Sequence, residues 1–171
     1  MTAGIFVALL LLAGCGRQEG GAPTGGNASR TSPPATISPG DSISMADSAS
    51  AARAVAWIQD YYSAINEHRY RDAYAHWERG GLASGKGFEE FRKGFEETER
   101  VEVSVVGATG RIEGAAGSRY IEVPVRIVAR TRGGDRRAYS GLYTLRLSVV
   151  DGATPEQRSW HIYSAAVRAL P

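Results

Sequence analysis

The sequence predicts an α+β domain in which three N-terminal helices pack on a curved, four-stranded antiparallel sheet. Apolar residues recur at helical spacing as far as about residue 97, and from Val101 onward they alternate with polar ones. The connections in the second half are short and rich in glycine, as antiparallel hairpins require. Helices and strands that are segregated along a chain are typical of α+β folds, with the helices on one face of the sheet.

The helical half begins with a long helix from Ala51 to His68, for which Ser50 is a suitable N-cap. Two shorter helices follow, and the second of the three ends where Gly80 and Gly81 release the backbone. The third helix carries glutamates opposite its aromatic residues, which we interpret as a solvated acidic face. The short helices are indicated by aromatic and alanine residues at helical spacing: Tyr70, Ala73, Tyr74 and Trp77, then Phe88, Phe91 and Phe95.

The strand half comprises four predicted strands at 101–105, 120–129, 137–150 and 158–168. Pro124 cannot donate a ladder hydrogen bond, so it predicts an edge strand or a bulge in the second strand. Gly141 predicts a bend or bulge in the third. The turn at 132–135 contains paired glycines, which suit the positive φ angles of a primed hairpin turn. Asp151 and Gly152 predict the last turn.

The N-terminus has an apolar run, residues 5–13, that is much shorter than the roughly 20 residues of a spanning helix. We interpret residues 1–14 as a signal peptide, although its first four residues lack the usual Lys or Arg. Leu12-Ala13-Gly14-Cys15 resembles the bacterial lipobox. That resemblance implies a lipoprotein with diacylated (palmitate-type) Cys15, whereas the alternative is an ordinary signal peptide with an incidental cysteine. Cys15 is the sole cysteine of the 171 residues, which excludes an intrachain disulfide.

Residues 15–50 follow as a tether of Gly, Ser, Pro, Thr and Ala that buries too little apolar surface to fold alone. Treated as a flexible coil, it spans about 30 to 35 Å. Two acyl chains suffice for stable anchoring. We therefore expect residues 51–171 to be one domain in the cell envelope, tethered to a membrane facing the periplasm or cell exterior. Gly16, where the lipoprotein sorting rule places Asp for inner-membrane retention, favours the outer membrane in a diderm host.

The domain resembles the nuclear transport factor two-like (SnoaL-like) superfamily, whose cystatin-like cone wraps a bent sheet around a long helix. The resemblance rests on Tyr61-Tyr62-Ser63-Ala64-Ile65-Asn66 running into Tyr70-Arg71-Asp72-Ala73-Tyr74, and on the segments 141–145 and 160–162. It implies a pocket at the open end of the cone. It also implies dimers through the sheet in some members, and enzymes such as ketosteroid isomerase and scytalone dehydratase in others, which depend on Asp, His and Tyr.

Several side chains are candidates for such a pocket, because aromatic rings offer apolar area with polar handles. Filling of the core is the alternative for the same rings. A catalytic role would require His161 or His76 with a pocket tyrosine, since His68 lies at a helix end; neither histidine has a neighbour at metal-ligand spacing. We expect no metal, cofactor or catalytic residue. The candidate lining is Tyr62, Trp77, Phe91, Tyr143, Trp160 and His161.

Arginines crowd the predicted hairpin at Arg126, Arg130, Arg132, Arg136 and Arg137. They form a candidate basic surface for anionic headgroups or an acidic partner. The simpler interpretation is a solvated hairpin that protects a sheet edge. Nucleic acid is not expected as a partner of an exported domain. Together these features predict a non-catalytic envelope lipoprotein that binds a small apolar ligand or another envelope protein; the alternative is a small isomerase-like or dehydratase-like enzyme.

Overall fold

The computed structural model describes residues 45–107 and 109–171, and these form an α+β domain. An open antiparallel sheet of five strands packs against the helices, which confirms the predicted fold class. The interpretations that concern the signal peptide, Cys15 and most of the tether fall outside the described residues. Within the described part of the chain, no helix combines the length and the apolar character needed to cross a membrane.

Three α-helices and one 3-10 turn precede the sheet: α1 (Met45–Asn66), α2 (Tyr70–Ala75), the 3-10 turn (Leu82–Ser84) and α3 (Phe88–Lys93). Helix α1 starts at Met45 rather than Ala51, so the prediction of Ser50 as its N-cap is wrong. Ser50 is buried inside the helix, where its carbonyl accepts a hydrogen bond from Trp160 Nε1 at 3.0 Å. Asp47 pairs with Arg119. These contacts with distant residues hold the first turns of the helix, and local sequence does not reveal them.

The sheet consists of β1 (Thr98–Val105), β2 (Glu113–Ala115), β3 (Ser118–Thr131), β4 (Arg136–Ser148) and β5 (His161–Ala169). Their order is β1-β3-β4-β5, and β2 adds a short pairing to β3. The predicted count of four strands is therefore too low, because β2 has only three residues, all exposed, and shows no apolar alternation. The last strand begins at His161 rather than Arg158, since the chain up to Ser159 is still turning: Arg158 N donates to Thr154 O.

Asn66 joins the end of α1 to the edge strand β1. Its Nδ2 donates to Val101 O at 2.8 Å, and its Oδ1 accepts from Val101 N at 2.7 Å. A side-chain amide can do both because it carries a donor and an acceptor in one plane. The clamp satisfies backbone groups that an edge strand otherwise leaves open.

Pro124 is neither in an edge strand nor at a bulge, so that prediction is wrong. It lies in β3 between two neighbours and pairs in regular register with Leu142 of β4. Its carbonyl accepts from Val106 N, just where β1 ends at Val105. The nitrogen of a strand residue faces the same neighbour as its carbonyl. The missing N–H therefore falls beyond the last residue of β1, where no ladder bond is lost.

The hairpin between β3 and β4 is confirmed, but its turn is not a primed one. Gly134 N donates to Thr131 O, Thr131 N donates to Asp135 O, and Gly134 has a φ of 90° while Gly133 does not take a positive φ. This is the three-residue loop in which a tight turn is followed by one left-handed residue.

Gly141 allows strands β4 and β5 to pack closely and does not mark a bulge, so the prediction of a bend or bulge there is wrong. A Cβ placed there would lie 2.6 Å from Val167 Cα, so only glycine lets β4 and β5 approach. The bulge lies farther along: Thr144 pairs with Ser164 while Leu145 pairs with Ile162, which leaves Tyr163 as the extra residue of β5. The extra residue changes which β5 side chains face the helices.

The interior of the domain has two parts, which we call the aliphatic half and the aromatic half. The aliphatic half is a solid cluster of the most deeply buried side chains. The aromatic half continues from it along helix α1 and strands β3, β4 and β5. It also includes residues of α3 and of the segment that follows α2. The aliphatic half comprises Ile58, Ile121, Val123, Val125, Leu145 and Ile162, and the aromatic half is built around Tyr61, Tyr62, Trp77, Phe91, Tyr139 and Tyr143.

Candidate functional site

The aromatic half encloses a cavity of about 450 Å³. Ligand pockets for small molecules range from about 300 to 1,000 Å³ and are mostly apolar, and this cavity fits both criteria. Its walls come from α1, the segment between α2 and α3, α3 with the residues that follow it, and the inward faces of β1, β3, β4 and β5. The chemically distinctive lining residues are Tyr61, Tyr62, Trp77, Lys86, Phe91 and Tyr143.

Two phenols form the most buried polar contact in the cavity. Tyr62 and Tyr143 are 6% and 4% exposed, and their hydroxyl oxygens are 2.6 Å apart. One hydroxyl donates and the other accepts, so the pair uses only one of its two protons. The second O–H has no hydrogen-bond partner among the described residues. The pair thus holds a spare donor in a nearly dry setting.

Trp77 presents a second spare donor. Its side chain lines the cavity and is 8% exposed, and its Nε1 has no hydrogen-bond partner among the described residues. A buried indole N–H normally finds an acceptor, because leaving it unpaired costs about 1 to 3 kcal/mol. The Tyr61 ring lies edge-on to it, with ring centroids 6.2 Å apart. Because the Nε1 atom itself is fully buried, an acceptor atom of a ligand would reach it only if the surrounding rings shift.

Three phenols of the cavity, those of Tyr61, Tyr62 and Tyr143, are held in the neutral, donating form. Burial raises the pKa of Tyr143 to about 12. Burial, together with the neighbouring Tyr143, raises the pKa of Tyr61 and of Tyr62 well above the ordinary value. The nearby Trp77 indole N–H lowers the pKa of Tyr61 by less than burial raises it, although its contact with the Tyr61 hydroxyl does not have hydrogen-bond geometry. Neutral phenols and an indole make the site rich in uncharged hydrogen-bond donors.

The segment before α3 forms one wall and is fixed by Tyr74. The Tyr74 hydroxyl donates to Lys86 O at 2.7 Å. Its ring also packs against the Gly81 backbone, where φ is 101° and a side chain would collide with the ring. Lys86, the only cationic residue of the lining, pairs at 3.3 Å with Glu90 of α3. These contacts hold the Ala83–Lys86 wall in place.

Four predicted lining residues line the cavity, namely Tyr62, Trp77, Phe91 and Tyr143. Trp160 and His161 do not, so their placement in the pocket is a wrong prediction. Trp160 is buried against α1 through its bond to Ser50. His161 lies beside Trp57, with ring centroids 5.1 Å apart, and the strand contributes to the cavity only beyond the bulge, through residues 164, 165 and 167.

His76 also lies outside the cavity. Its ring packs against Trp57 with centroids 4.4 Å apart, and its Nδ1 is 2.8 Å from Asp72 O. Burial lowers the pKa of His76, with the nearby Asp72 backbone opposing. No residue of the cavity lining carries a carboxylate or an imidazole. Residues 45–107 and 109–171 contain no group of three or more side chains placed to hold a metal ion.

The structure splits the predicted basic surface between two faces. Arg130 and Arg136 pair directly across β3 and β4 on the face away from the helices. Arg137 pairs with Ala129, so it shares the inward face with the cavity wall. Arg132 lies in the hairpin turn. The prediction of a single basic patch is therefore wrong, because alternate residues of a strand point to opposite faces of the sheet.

Sequence reasoning missed several lining residues. Tyr61 and Tyr139 carried a usable signal: Tyr61 lies on the apolar face of α1, and Tyr139 precedes Tyr143 by two steps on one strand face. The Ala83–Lys86 segment carried no such signal, because small loop residues show the same sequence pattern whether they line a cavity or face solvent.

In comparisons with known proteins, no family model, curated protein or solved structure matches this chain.

Proposed function

We propose that this chain is a binding protein whose aromatic half takes up one small, neutral, apolar molecule that carries a hydrogen-bond acceptor. The observation that carries the proposal is the aromatic cavity of about 450 Å³, whose lining includes Trp77 with its buried, unpartnered Nε1. An apolar ligand gains about 25 cal/mol for each Å² of surface it removes from water. Burial of apolar surface does not depend on direction, so the hydrogen-bond acceptor of the ligand provides the selectivity.

The selectivity follows from the spare donors. Trp77 Nε1 and one proton of the Tyr62–Tyr143 pair have no acceptor among the described residues. A carbonyl or ether oxygen can supply an acceptor, whereas a pure hydrocarbon leaves both donors unpaired. Sites built in this way discriminate strongly against an analogue that lacks the polar atom.

A neutral ligand fits the charges better than an ion. The one cationic lining residue, Lys86, is already paired with Glu90, and the other polar side chains of the lining are uncharged hydroxyl and indole groups. An anion in this setting would lose its hydration without a full counter-charge. A cation would meet no carboxylate in the lining.

The cellular setting of the proposal is the envelope, with the domain held to a membrane through acylated Cys15. It rests on the lipobox-like residues 12–15 and on the glycine- and serine-rich segment that follows. The resemblance to nuclear transport factor two-like cones belongs to the same proposal and is supported by the order of helices and strands. Metabolic labelling with palmitate tests the anchor: the parent should incorporate label and a Cys15→Ala variant should not. A parent protein that incorporates no palmitate label would refute the proposed lipid anchor.

The enzymatic alternative loses its main support. It required an imidazole beside a pocket tyrosine, and His76 and His161 both lie against Trp57 outside the cavity. General acid–base chemistry needs a group that titrates near the working pH within hydrogen-bond reach of the substrate. The phenols of Tyr61, Tyr62 and Tyr143, with their raised pKa values, do not meet that requirement at neutral pH.

Calorimetric titration with matched molecules tests the binding proposal. The probes are 2-adamantanone and adamantane, which differ in the carbonyl and hardly in shape. We expect the ketone to bind at least about tenfold more tightly, since one satisfied buried donor is worth about 1 to 3 kcal/mol. In a Trp77→Phe variant that preference should shrink, while a Trp57→Phe control should keep it. Failure of the parent to bind either probe, or equal affinity for both, would sink the proposal.

A further inference from the structure

The face of the sheet away from the helices carries three arginines in one cross-strand row. Arg100 of β1 pairs with Arg130 of β3, and Arg130 pairs with Arg136 of β4. Opposed residues of neighbouring strands bring their Cβ atoms to about 5 Å, and like charges placed there repel. We call this set the arginine row.

The row is poorly neutralised by the protein itself. Glu102 pairs with one member of the row, with Oε1 3.7 Å from Arg100 Nε, and both side chains are 68% exposed. An exposed pair of this kind contributes little. Arg130 and Arg136 form no ion pair with any described residue. Counting three guanidiniums against one carboxylate leaves a local excess of two positive charges.

Protection of a sheet edge does not explain the arrangement. Charged residues on an edge strand discourage pairing with another chain, and that role suits Arg100 of β1. Arg130, however, lies in β3, which is hydrogen-bonded to strands on both sides. Its charge therefore raises the repulsion in the row without guarding an open edge.

The three side chains, Glu102 and Val128 line one small groove of about 90 Å³. Guanidinium groups bind tetrahedral oxyanions through paired, charge-assisted hydrogen bonds. A phosphate monoester carries a charge between −1.5 and −2 near neutral pH, which matches the excess charge of the row. The groove suits a single small oxyanion rather than an extended ligand.

From this geometry we infer that the arginine row is a binding site for a phosphate monoester group, separate from the cavity. The group is carried either by a lipid headgroup or by a soluble molecule. The inference is independent of the proposed function, since the row and the cavity lie on opposite faces of the same strands. A bound anion would relieve the repulsion among the three guanidinium groups, which accounts for three like charges on adjoining strand positions.

The test uses purified full-length protein and two variants, Arg130→Gln at the centre of the row and Arg53→Gln on the exposed surface of α1 as the matched control. Titration with inorganic phosphate should show binding that falls about tenfold in R130Q and is unchanged in R53Q. Phosphate affinity should also fall as the pH drops below neutral, where inorganic phosphate takes up its second proton, while affinity for sulfate stays level.

Thermal unfolding without phosphate separates a ligand site from a structural one. Because R130Q removes two like-charge contacts, it should raise the melting temperature slightly, and R53Q should not. Equal phosphate affinity of R130Q and R53Q would overturn the inference, and so would a lower melting temperature for R130Q with unchanged affinity.

Vesicle sedimentation identifies the source of the phosphate group. A Cys15→Ser background removes lipid anchoring, and the vesicles contain phosphatidylcholine alone or with phosphatidic acid. Binding only to the phosphatidic acid vesicles, lost in R130Q, assigns a lipid headgroup; binding of inorganic phosphate without vesicle binding assigns a soluble ligand. Absence of both would overturn the inference.

Discussion

The aliphatic half and the aromatic half share the same helix and strands, yet only one of them is filled. Along the inward face of β3, Ile121, Val123 and Val125 belong to the solid cluster, whereas Ile127 and Ala129 line the cavity. Branched aliphatic side chains interdigitate to crystal-like density. Rigid rings such as Tyr62 and Tyr143, tied by a hydroxyl pair, hold their positions and leave space between them. The difference indicates that stability resides mainly in one half and binding in the other.

Removing side-chain volume from the aliphatic half should give the largest effect. Leu145→Ala deletes a fully buried side chain from a packed site, so we expect the free energy of unfolding to fall by about 3 kcal/mol. Leu142→Ala is the matched control on the same strand, because Leu142 is 39% exposed, and it should change the free energy by less than about 0.5 kcal/mol. Urea denaturation measures both. Equal losses would contradict the division into halves.

Alkaline pH should weaken the aromatic half selectively. The pKa of Tyr143 is about 12 in the folded protein and about 10 when unfolded. Below pH 10 both states keep the proton, so Tyr143 contributes no pH dependence. Between pH 10 and 12 only the unfolded state ionises, and the free energy of unfolding should fall by up to about 1.4 kcal/mol per pH unit for this phenol. A Tyr62→Phe/Tyr143→Phe double variant should show a shallower fall in urea denaturation across this range; an identical fall would refute the assignment.

The hydroxyl pair itself should contribute moderately. Tyr62→Phe leaves the Tyr143 hydroxyl without its partner and should cost about 1 kcal/mol. The double Phe variant should lose less than the sum of the single losses, because both hydroxyls are removed together. Tyr163→Phe, at a 47% exposed position, serves as the control. Strictly additive losses in a double-mutant cycle would show that the hydroxyls do not interact.

The smallest effect on stability is expected when side-chain volume is added in the aromatic half, where the cavity leaves space for it. Ala165→Val extends a lining residue into the cavity, so we expect a change of less than about 0.5 kcal/mol and weaker binding of 2-adamantanone. Val125→Leu in the aliphatic half adds a methylene where no space remains and should cost about 1 to 3 kcal/mol. Thermal and urea denaturation compare the two. A larger loss for Ala165→Val would mean that the cavity is not open space.

The sequence predicted the fold class because the change of apolar period is a local property that each strand face shows by itself. It also placed Tyr62 and Tyr143 on inward faces, and the structure brings both to the cavity. It did not predict the start of α1, which depends on contacts of Asp47 and Ser50 with distant residues.

Two further features depend on register, which a single sequence does not display. The extra residue at Tyr163 shifts the inward face of β5, so His161 falls outside the cavity and Ala165 falls inside. The arginine row likewise exists only because Arg100, Arg130 and Arg136 are paired across strands. Their spacing along the chain gives no sign of it.

The most direct test of the ligand site is the ¹H–¹⁵N spectrum of the three tryptophan indoles. Trp57 Nε1 donates to His76 O and Trp160 Nε1 donates to Ser50 O, so both report on the fold and act as internal controls. Trp77 Nε1 alone among them has no partner. Addition of 2-adamantanone should move the Trp77 signal downfield and leave the other two in place, and adamantane should not reproduce that downfield shift. A Trp77 signal that stays unchanged while the ketone binds would contradict the account.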